Sequence, residues 1–271
     1  MEQTTLRALT VSEVLDRALR IYRAKFISLV GIVSAVMIPQ GILLFIFMLY
    51  LNDTRLVENL TNLIFQNLAT VALIAAISNA NLGKAFTIQS AYSEGTKRFW
   101  SVIGASFMIG LSIVVPAIAI GLCLTVVRGG IWAILLLIPV AVFLSTRWSL
   151  SSSVIVLENS GSSAGLQRSW ALTKDFFWRV MGTSFLAGLL AILLMVLPVF
   201  ILNYLLGMMG ASSKVIELAG VVVQQLAQIL ILPFSIAVQV LIYYDLRIRK
   251  EGFDLMLRAE ESQQQNTVGI S

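Results

Sequence analysis

The chain has 271 residues, of which 58% are hydrophobic and only 12% are charged, with a formal net charge of +5. Soluble domains are about 45–50% apolar and about 25% charged, so this composition excludes a soluble globular protein and a disordered chain. Histidine is absent and Cys123 is the single cysteine, which excludes histidine-dependent catalysis, an intrachain disulfide and a cysteine-rich metal site. The composition predicts a polytopic membrane protein, for which we expect no cofactor and no metal.

An amphipathic segment opens the chain. Ser12 is the predicted N-cap of its helix, because a serine side chain can accept a hydrogen bond from a free helical amide. Apolar residues recur at helical spacing on one face, at Leu15, Ala18, Leu19, Tyr22 and Phe26. The segment therefore predicts a helix that lies at the membrane interface.

Six charge-free intervals follow that are long enough to cross a bilayer, which takes about 20 mostly apolar residues. They are Phe26–Asn52, Asn59–Gly83, Phe99–Val127, Gly130–Thr146, Val180–Ser213 and Leu218–Tyr244. The fourth is the shortest and the second is the most polar, so either could be an arm of a buried hairpin. All five prolines fall inside these intervals, where we expect kinks that neighbouring helices tolerate.

Two later segments repeat the amphipathic pattern of the first. One carries Ile88, Ala91, Tyr92, Gly95 and Phe99, and the other carries Leu166, Ser169, Trp170, Thr173 and Phe177. A glycine follows the last phenylalanine of each copy by five residues, at Gly31, Gly104 and Gly182. The pattern predicts an all-α bundle of six transmembrane helices, built from three repeats of an interfacial amphipathic helix and a transmembrane hairpin.

These repeats set the expected domain organisation. They cover about residues 11–83, 84–158 and 162–250. We expect residues 1–258 to form a single membrane domain and residues 259–271 to form a disordered cytoplasmic tail.

The positions of lysine and arginine predict the orientation. Sixteen of the 19 lie on the side that also carries both termini, and only Arg55, Arg128 and Lys214 lie on the other. The positive-inside rule then places both termini in the cytoplasm, in what we expect to be a bacterial plasma (inner) membrane. The same charges predict contact with anionic lipid headgroups and not with nucleic acid. The predicted outer loops are Asp53–Glu58, Arg128–Gly130 and Gly207–Lys214.

Several stretches resemble the motifs of one bacterial membrane-protein family. Leu6-Arg7 and Val11–Arg23 resemble its opening motif, Tyr243–Asp254 its closing motif, and Arg168–Trp170 with Phe177–Val180 its internal motif. The chain thus resembles, over nearly its whole length, the family named for the membrane domain of glycerophosphoryl diester phosphodiesterases. Some relatives carry a hydrolase barrel with paired histidines and metal-binding carboxylates. Since this chain has no histidine, the resemblance implies a stand-alone membrane domain and carries over no catalytic residue.

The sixth interval carries the most suggestive polar feature. A stripe on one helical face consists of Gln224, Gln228, Ser235 and Gln239, and it is bordered by Gln225. Buried amides in a membrane often form hydrogen bonds between helices. The stripe is therefore either a structural contact or the lining of a path for a solute or a lipid headgroup.

Cations near the predicted membrane surface form a second candidate set. Arg147, Arg247, Arg249 and Lys250 could bind lipid phosphates, or they could only set the topology. Ser149 and Ser151–Ser153, beside Arg147, could hold a phosphate or let helices approach closely. We expect Cys123 to be a packing residue.

We expect a non-catalytic bacterial inner-membrane protein that transports or organises a solute, a lipid or a partner protein. The alternative is a membrane enzyme, or an enzyme accessory, that acts on lipid phosphodiesters. No charged residue lies near the middle of a predicted span, which argues against a proton-coupled pump. The acidic residues are spread singly along the sequence, which argues against metal-dependent hydrolysis. The sequence leaves open a homo-oligomer or a partner membrane protein.

Overall fold

The structure is a computed structural model that describes residues 9–50, 55–126 and 131–252. Within these ranges the chain is helical and contains no strand. The helices are α1 (Val11–Ala24), α2 (Phe26–Tyr50), α3 (Arg55–Asn81), α4 (Ile88–Gly95), α5 (Phe99–Val126), α6 (Ile131–Trp148), α7 (Ser151–Leu157), α8 (Ser162–Thr173), α9 (Phe177–Met208) and α10 (Ser213–Glu251). A single 3₁₀ turn, Thr96–Arg98, joins α4 to α5.

Six helical stretches are long and apolar enough to cross a membrane. Four of them are α2, α3, α9 and α10; the other two run from α4 into α5 (Ile88–Ile118) and from α6 into α7 (Ile138–Leu157). The predicted all-α, multi-pass architecture is therefore confirmed. Of the predicted outer loops, Arg128–Gly130 lies outside the described residues, as does the predicted tail of residues 259–271.

The spanning helices pack against one another in chain order. Contacts join α2 to α3, α3 to α5, α5 to α6, α6 to α9, α9 to α10 and α10 back to α2. These contacts close a ring of six helices. A further contact between α3 and α10 crosses the ring.

The short helices α1, α4 and α8 lie at the end of the bundle where α10 finishes, which we call the terminal end. Helix α1 contacts α9 and α10, α4 contacts α2 and α3, and α8 contacts α5, α6 and α7. Helix α10 ends at Glu251 because Gly252 has a φ of 60°, the left-handed conformation that commonly terminates helices. The opposite end, where α9 turns into α10, is called the far end.

The predicted N-cap of α1 is wrong by two residues. The cap is Thr10, whose hydroxyl accepts the Glu13 N–H at 3.3 Å, while the Glu13 carboxylate accepts the Thr10 N–H at 2.7 Å. This reciprocal pair needs a polar side chain three residues after the cap. Ser12 has Leu15 at that position, so it cannot form the pair.

The core concentrates where α3 and α10 meet near the terminal end. Val71–Ser78 of α3 and Ile236–Leu246 of α10, apart from Gln239, are buried. The hydroxyl oxygens of Ser78 and Tyr244 are 2.7 Å apart and link the two helices. Helix α4 packs closely on α3, because a Cβ on Gly95 would lie only 2.5 Å from the carbonyl oxygen of Val71.

Tyrosines fasten two of the short helices to the spanning helices. The Tyr22 hydroxyl of α1 donates to the Leu230 carbonyl of α10 at 2.9 Å, and the Tyr92 hydroxyl of α4 donates to the Ile32 carbonyl of α2 at 2.6 Å. The amphipathic faces therefore pack against the bundle, with Ala18 and Ala91 fully buried.

Candidate functional site

A partly open cavity of about 760 Å³ lies between α3, α5, the α6–α7 region and α10. Its polar lining residues are Asn59, Asn62, Gln66, Asn67, Thr70, Ser106, Ser145, Ser149, Ser151, Ser152, Gln228, Ser235 and Gln239. The other residues of the wall are Leu63, Ile109, Trp148, Ile231, Leu232 and Ile236. The described lining thus offers many amides and hydroxyls and contains no charged side chain. We call this space the polar cavity.

The polar cavity extends along the bundle axis. On α10 the lining runs from Gln228 to Gln239, and on α3 it runs from Asn59 to Thr70. Eleven residues of helix rise about 16 Å, which is roughly half of a hydrocarbon core about 30 Å thick. Asn59 lies near the far end of α3, whereas Gln239 lies toward the terminal end of α10.

Three of the four residues of the predicted stripe line the polar cavity. They are Gln228, Ser235 and Gln239, while Gln224 is not among the lining residues. In the described part of the chain, none of these three side chains has a hydrogen-bond partner. Their amide and hydroxyl groups are thus free to bind a ligand or water in the cavity, and no helix-to-helix hydrogen bond occupies them.

The polar face of α3 forms the wall opposite α10. The Asn62 carbonyl oxygen accepts a hydrogen bond from Gln40 Nε2 of α2 at 2.5 Å, and Gln40 is fully buried. The Asn67 carbonyl oxygen accepts from Ser106 of α5 at 3.1 Å, while its amide donates to the Leu63 carbonyl at 2.6 Å. These bonds hold both asparagines in place and tie α3 to its two neighbours.

The serine cluster after Arg147 lies where α6 stops and α7 begins. Ser149, Ser151 and Ser152 line the polar cavity, whereas Ser153 is fully buried. Arg147 is not part of this lining; it lines a different cavity, together with Phe143 and Phe177. The serines and the guanidinium therefore do not share one site, because neighbouring positions on a helix point in different directions.

Asp245 joins the start of the described chain to α9 at the terminal end. Its side chain is 2% exposed, and its carboxylate accepts the Leu9 N–H at 2.7 Å. It pairs with Arg179 at 3.0 Å and with Arg249 at 3.1 Å, and both guanidinium groups also donate to the Leu9 carbonyl oxygen. Two cations thus oppose one buried carboxylate. We call these four residues the Asp245 cluster.

A second ionic cluster joins α8 to the end of α10. Arg168 pairs with Glu158 at 3.0 Å and also with Glu251. Arg247 pairs with Glu251 at 3.0 Å, and the Tyr243 hydroxyl donates to Glu158 at 3.1 Å. The acidic residues are therefore not all isolated, since the fold brings together two carboxylates that are 93 residues apart in sequence. No group of three or more potential metal ligands occurs among the residues that the structure describes.

Lys250 makes a third ionic contact at the terminal end. Its ammonium lies 2.5 Å from an Asp175 carboxylate oxygen and donates to the Ala171 carbonyl at 2.7 Å. The hydrogen bond from Lys250 lowers the pKa of Asp175 below its usual value. Asp175 therefore stays ionised and paired with Lys250.

The predicted headgroup cations thus fall into two groups. Arg247, Arg249 and Lys250 are each paired with a carboxylate of the chain. Arg147 forms no salt bridge within the described ranges, and it is held by aromatic rings instead. Two of these pairs follow from sequence spacing, because Asp245 and Glu251 lie four residues from Arg249 and Arg247 on α10. The partner of Lys250 could not be predicted in this way, because Asp175 comes from another segment.

No family model, no curated protein and no solved structure matches this chain. The resemblance to the glycerophosphoryl diester phosphodiesterase membrane-domain family therefore stays a prediction that rests on its motifs. In the structure, residues of those motifs meet at the terminal end, where Arg179 and Asp245 pair with each other and Arg168 pairs with Glu251. These contacts are ion pairs that hold the helices of the terminal end together.

Proposed function

We propose that this chain is a non-catalytic multi-pass protein of the bacterial inner membrane, and that its polar cavity takes up a neutral, hydrogen-bonding solute for passage through the bilayer. The single observation that carries this proposal is the uncharged polar lining of a cavity between helices that are long and apolar enough to span a membrane. Polar groups are costly in a membrane interior unless they are satisfied. A set of free amides and hydroxyls in one cavity therefore points to a ligand.

The lining favours a neutral solute over an ion. An ion that enters a cavity without counter-charges loses its hydration and gains no compensating pair. A solute with hydroxyl or amide groups can bind Gln228, Ser235 and Gln239, which supply both donors and acceptors. The cavity volume of about 760 Å³ also falls within the range of about 300–1,000 Å³ that is usual for small-molecule sites.

The non-catalytic part of the proposal is supported by the pairing of the carboxylates. Glu158, Asp245 and Glu251 are each bound by guanidinium groups, and none of them lines the polar cavity. A general acid or base needs a carboxyl group that can reach the substrate. An enzyme acting on lipid phosphodiesters would need such a group at the site where its substrate binds.

The orientation in this proposal places the terminal end in the cytoplasm. The order of the predicted spans in the sequence assigns 16 of the 19 lysines and arginines to that side. The membership in the phosphodiesterase membrane-domain family belongs to the same proposal and rests on the sequence motifs alone.

The threefold repeat is part of the proposal as well. Helices α2, α5 and α9 begin at Phe26, Phe99 and Phe177, and each follows a short helix. The short helices pack in a consistent manner, since α4 contacts α2 and α3, and α1 contacts α9 and α10. Helix α4 thus lies against the hairpin α2–α3, and α1 lies against the hairpin α9–α10. In the ring, each of these hairpins comes directly before the repeat to which the short helix belongs.

The repeated glycines support the same interpretation at two of three positions. A Cβ on Gly31 would lie 3.1 Å from Ile88 of α4, and a Cβ on Gly104 would lie 2.6 Å from Ser162 of α8. In both cases the glycine makes room for the short helix of the next repeat. Gly182 has no heavy atom within 4 Å of such a Cβ among the described residues, so the third copy departs from the pattern.

A solute-entry assay tests the proposed function. Proteoliposomes containing the chain are mixed with hyperosmotic glycerol or urea, and their reswelling is followed by stopped-flow light scattering. We expect at least one solute to enter faster than into empty liposomes, and Gln228→Leu/Gln239→Leu to remove most of the increase. The matched control, Leu226→Ala/Leu230→Ala, changes exposed residues of the same helix and should retain the faster solute entry. Equal entry into protein-containing and empty liposomes for both solutes would contradict the proposal.

A further inference from the structure

A second cavity, of about 630 Å³, opens at the terminal end between the last turn of α6 and the first turn of α9. It shares no lining residue with the polar cavity. Its charged lining residues are Arg147, Lys174, Asp175 and Arg179. We call it the Arg147 cavity.

The charges of the Arg147 cavity do not cancel. Asp175 is paired with Lys250 at 2.5 Å, and Arg179 is paired with Asp245 at 3.0 Å. Arg147 and Lys174 form no ion pair with any residue that the structure describes. Both cations lie close enough to Asp175 to help lower its pKa, but that carboxylate is already paired with Lys250. The cavity therefore keeps an excess of positive charge.

The Arg147 guanidinium is held in place but is not neutralised. Its central carbon lies 5.1 Å, 5.2 Å and 5.3 Å from the ring centroids of Phe143, Trp170 and Phe177. Its Nε and Nη1 atoms are enclosed and have no hydrogen-bond partner in the described chain. Cation–π contacts fix the position of such a group, yet they supply no negative charge. An enclosed cation without a counter-charge is costly, so an anion in the cavity would offset that cost.

The first turn of α9 adds to the positive potential of the cavity. Phe176 precedes the helix and provides no side-chain cap, while Phe177, Trp178 and Arg179 of the first turn line the cavity. The amides of a first helical turn have no partner within the helix and carry partial positive charge. Helix N-termini therefore favour phosphate groups. Here the N-terminus of α9 lies beside the Arg147 guanidinium, which also favours an anion.

Aromatic side chains place the Arg147 cavity at the depth of lipid headgroups. Trp148, Trp170 and Trp178 surround this end of α6 and α9, and tryptophan is typical of the membrane interface. The side chain of Trp178 is 76% exposed and that of Phe185, two turns further along α9, is 68% exposed. A phosphate in the cavity could therefore carry acyl chains that run along the apolar surface of α9.

We propose that the Arg147 cavity binds the headgroup phosphate of an anionic phospholipid from the leaflet at the terminal end. Arg147 provides the fixed charge, and Lys174 provides a second, mobile one. This proposal does not depend on the solute proposed for the polar cavity.

Native mass spectrometry of the delipidated full chain tests this site. The protein in detergent receives equal amounts of phosphatidylglycerol and phosphatidylcholine with identical acyl chains, and the retained lipids are counted. We expect phosphatidylglycerol to be retained about tenfold better, because charged lipids gain strongly from each nearby cation. Arg147→Gln should remove most of this preference and Lys174→Gln about half of it, whereas Arg23→Gln, an exposed cation at the same end, should keep it.

Several outcomes would overturn the proposal. Equal retention of the two lipids, or an unchanged preference in Arg147→Gln, would do so. If Arg147→Gln does not fold, Lys174→Gln decides, because Lys174 is exposed and unpaired in the described chain and its loss leaves the fold intact. Displacement of phosphatidylglycerol by an equal concentration of inorganic phosphate would show a site for soluble phosphate and not for lipid.

Discussion

Asp245 shows how a single side chain organises the terminal end. It is the only buried charged residue in the described ranges, and it binds two arginines and the Leu9 backbone. The sequence marks Asp245 as an ordinary interfacial acid after the last span. Its role could not be predicted, because Arg179 and Leu9 are 66 and 236 residues away along the chain.

Replacing Asp245 tests the structural role of its cluster. Asp245→Asn keeps the size of the side chain and removes the charge, which leaves Arg179 and Arg249 without a counter-charge. Breaking a buried ion pair in this manner costs about 3 kcal/mol or more of unfolding free energy. We therefore expect a clear fall in the melting temperature measured in detergent.

The matched control is Asp16→Asn, which removes an exposed carboxylate from α1 and should leave the melting temperature almost unchanged. Limited proteolysis adds a second measurement, since the segment around Leu9 should become cleavable only in Asp245→Asn. A variant as stable as the wild type, with that segment still protected, would show that the cluster does not hold the terminal end together.

At the scale of the elements, the sequence predicts the helices well and their contacts poorly. Long apolar intervals predicted all six spanning helices, and the short amphipathic segments are the helices α1, α4 and α8. Hydrophobic periodicity shows which face of a helix avoids water. In a membrane, however, lipid is as apolar as the helix core, so this periodicity does not show which faces pack against another helix. The break between α6 and α7 at Ser149–Leu150 also carries no glycine or proline that would have signalled it.

The contact between α4 and α3 gives a sharp test at this scale. A Cβ on Gly95 would lie 2.5 Å from the Val71 carbonyl oxygen, which is backbone and cannot move aside easily. Gly95→Ala should therefore lower the unfolding free energy by about 1–3 kcal/mol, as overpacking does. Thermal unfolding in detergent measures the effect.

Gly188→Ala in α9 is the control, because a Cβ there meets nothing within 4 Å among the described residues. Alanine is the better helix former, so this variant should be neutral or slightly stabilising. If both glycine variants behave alike, α4 does not pack on α3 as closely as the structure shows.

At the scale of the whole molecule, two polar surfaces meet that the sequence presents separately. The polar second interval and the glutamine stripe of the sixth were both visible in the sequence, but nothing in it showed that they face each other. Their meeting follows from the ring, in which α10 crosses to contact α3 while α5 and α6 leave space beside them. Polar faces of membrane helices avoid lipid, and this tendency is the physical reason for the arrangement.

The most direct test of the polar cavity is whether water reaches Gln228. Single cysteines replace Gln228 or Leu226 in a Cys123→Ala background, and a membrane-impermeant maleimide is applied to the reconstituted protein. Leu226 lies two residues away on the same helix, but it is 57% exposed on the surface of the bundle, where we expect lipid to surround it. We predict rapid labelling at position 228, slowed when Asn62 is replaced by leucine, and no labelling at position 226. An unreactive cysteine at position 228 would contradict an open polar cavity and leave the stripe as a dry contact between helices.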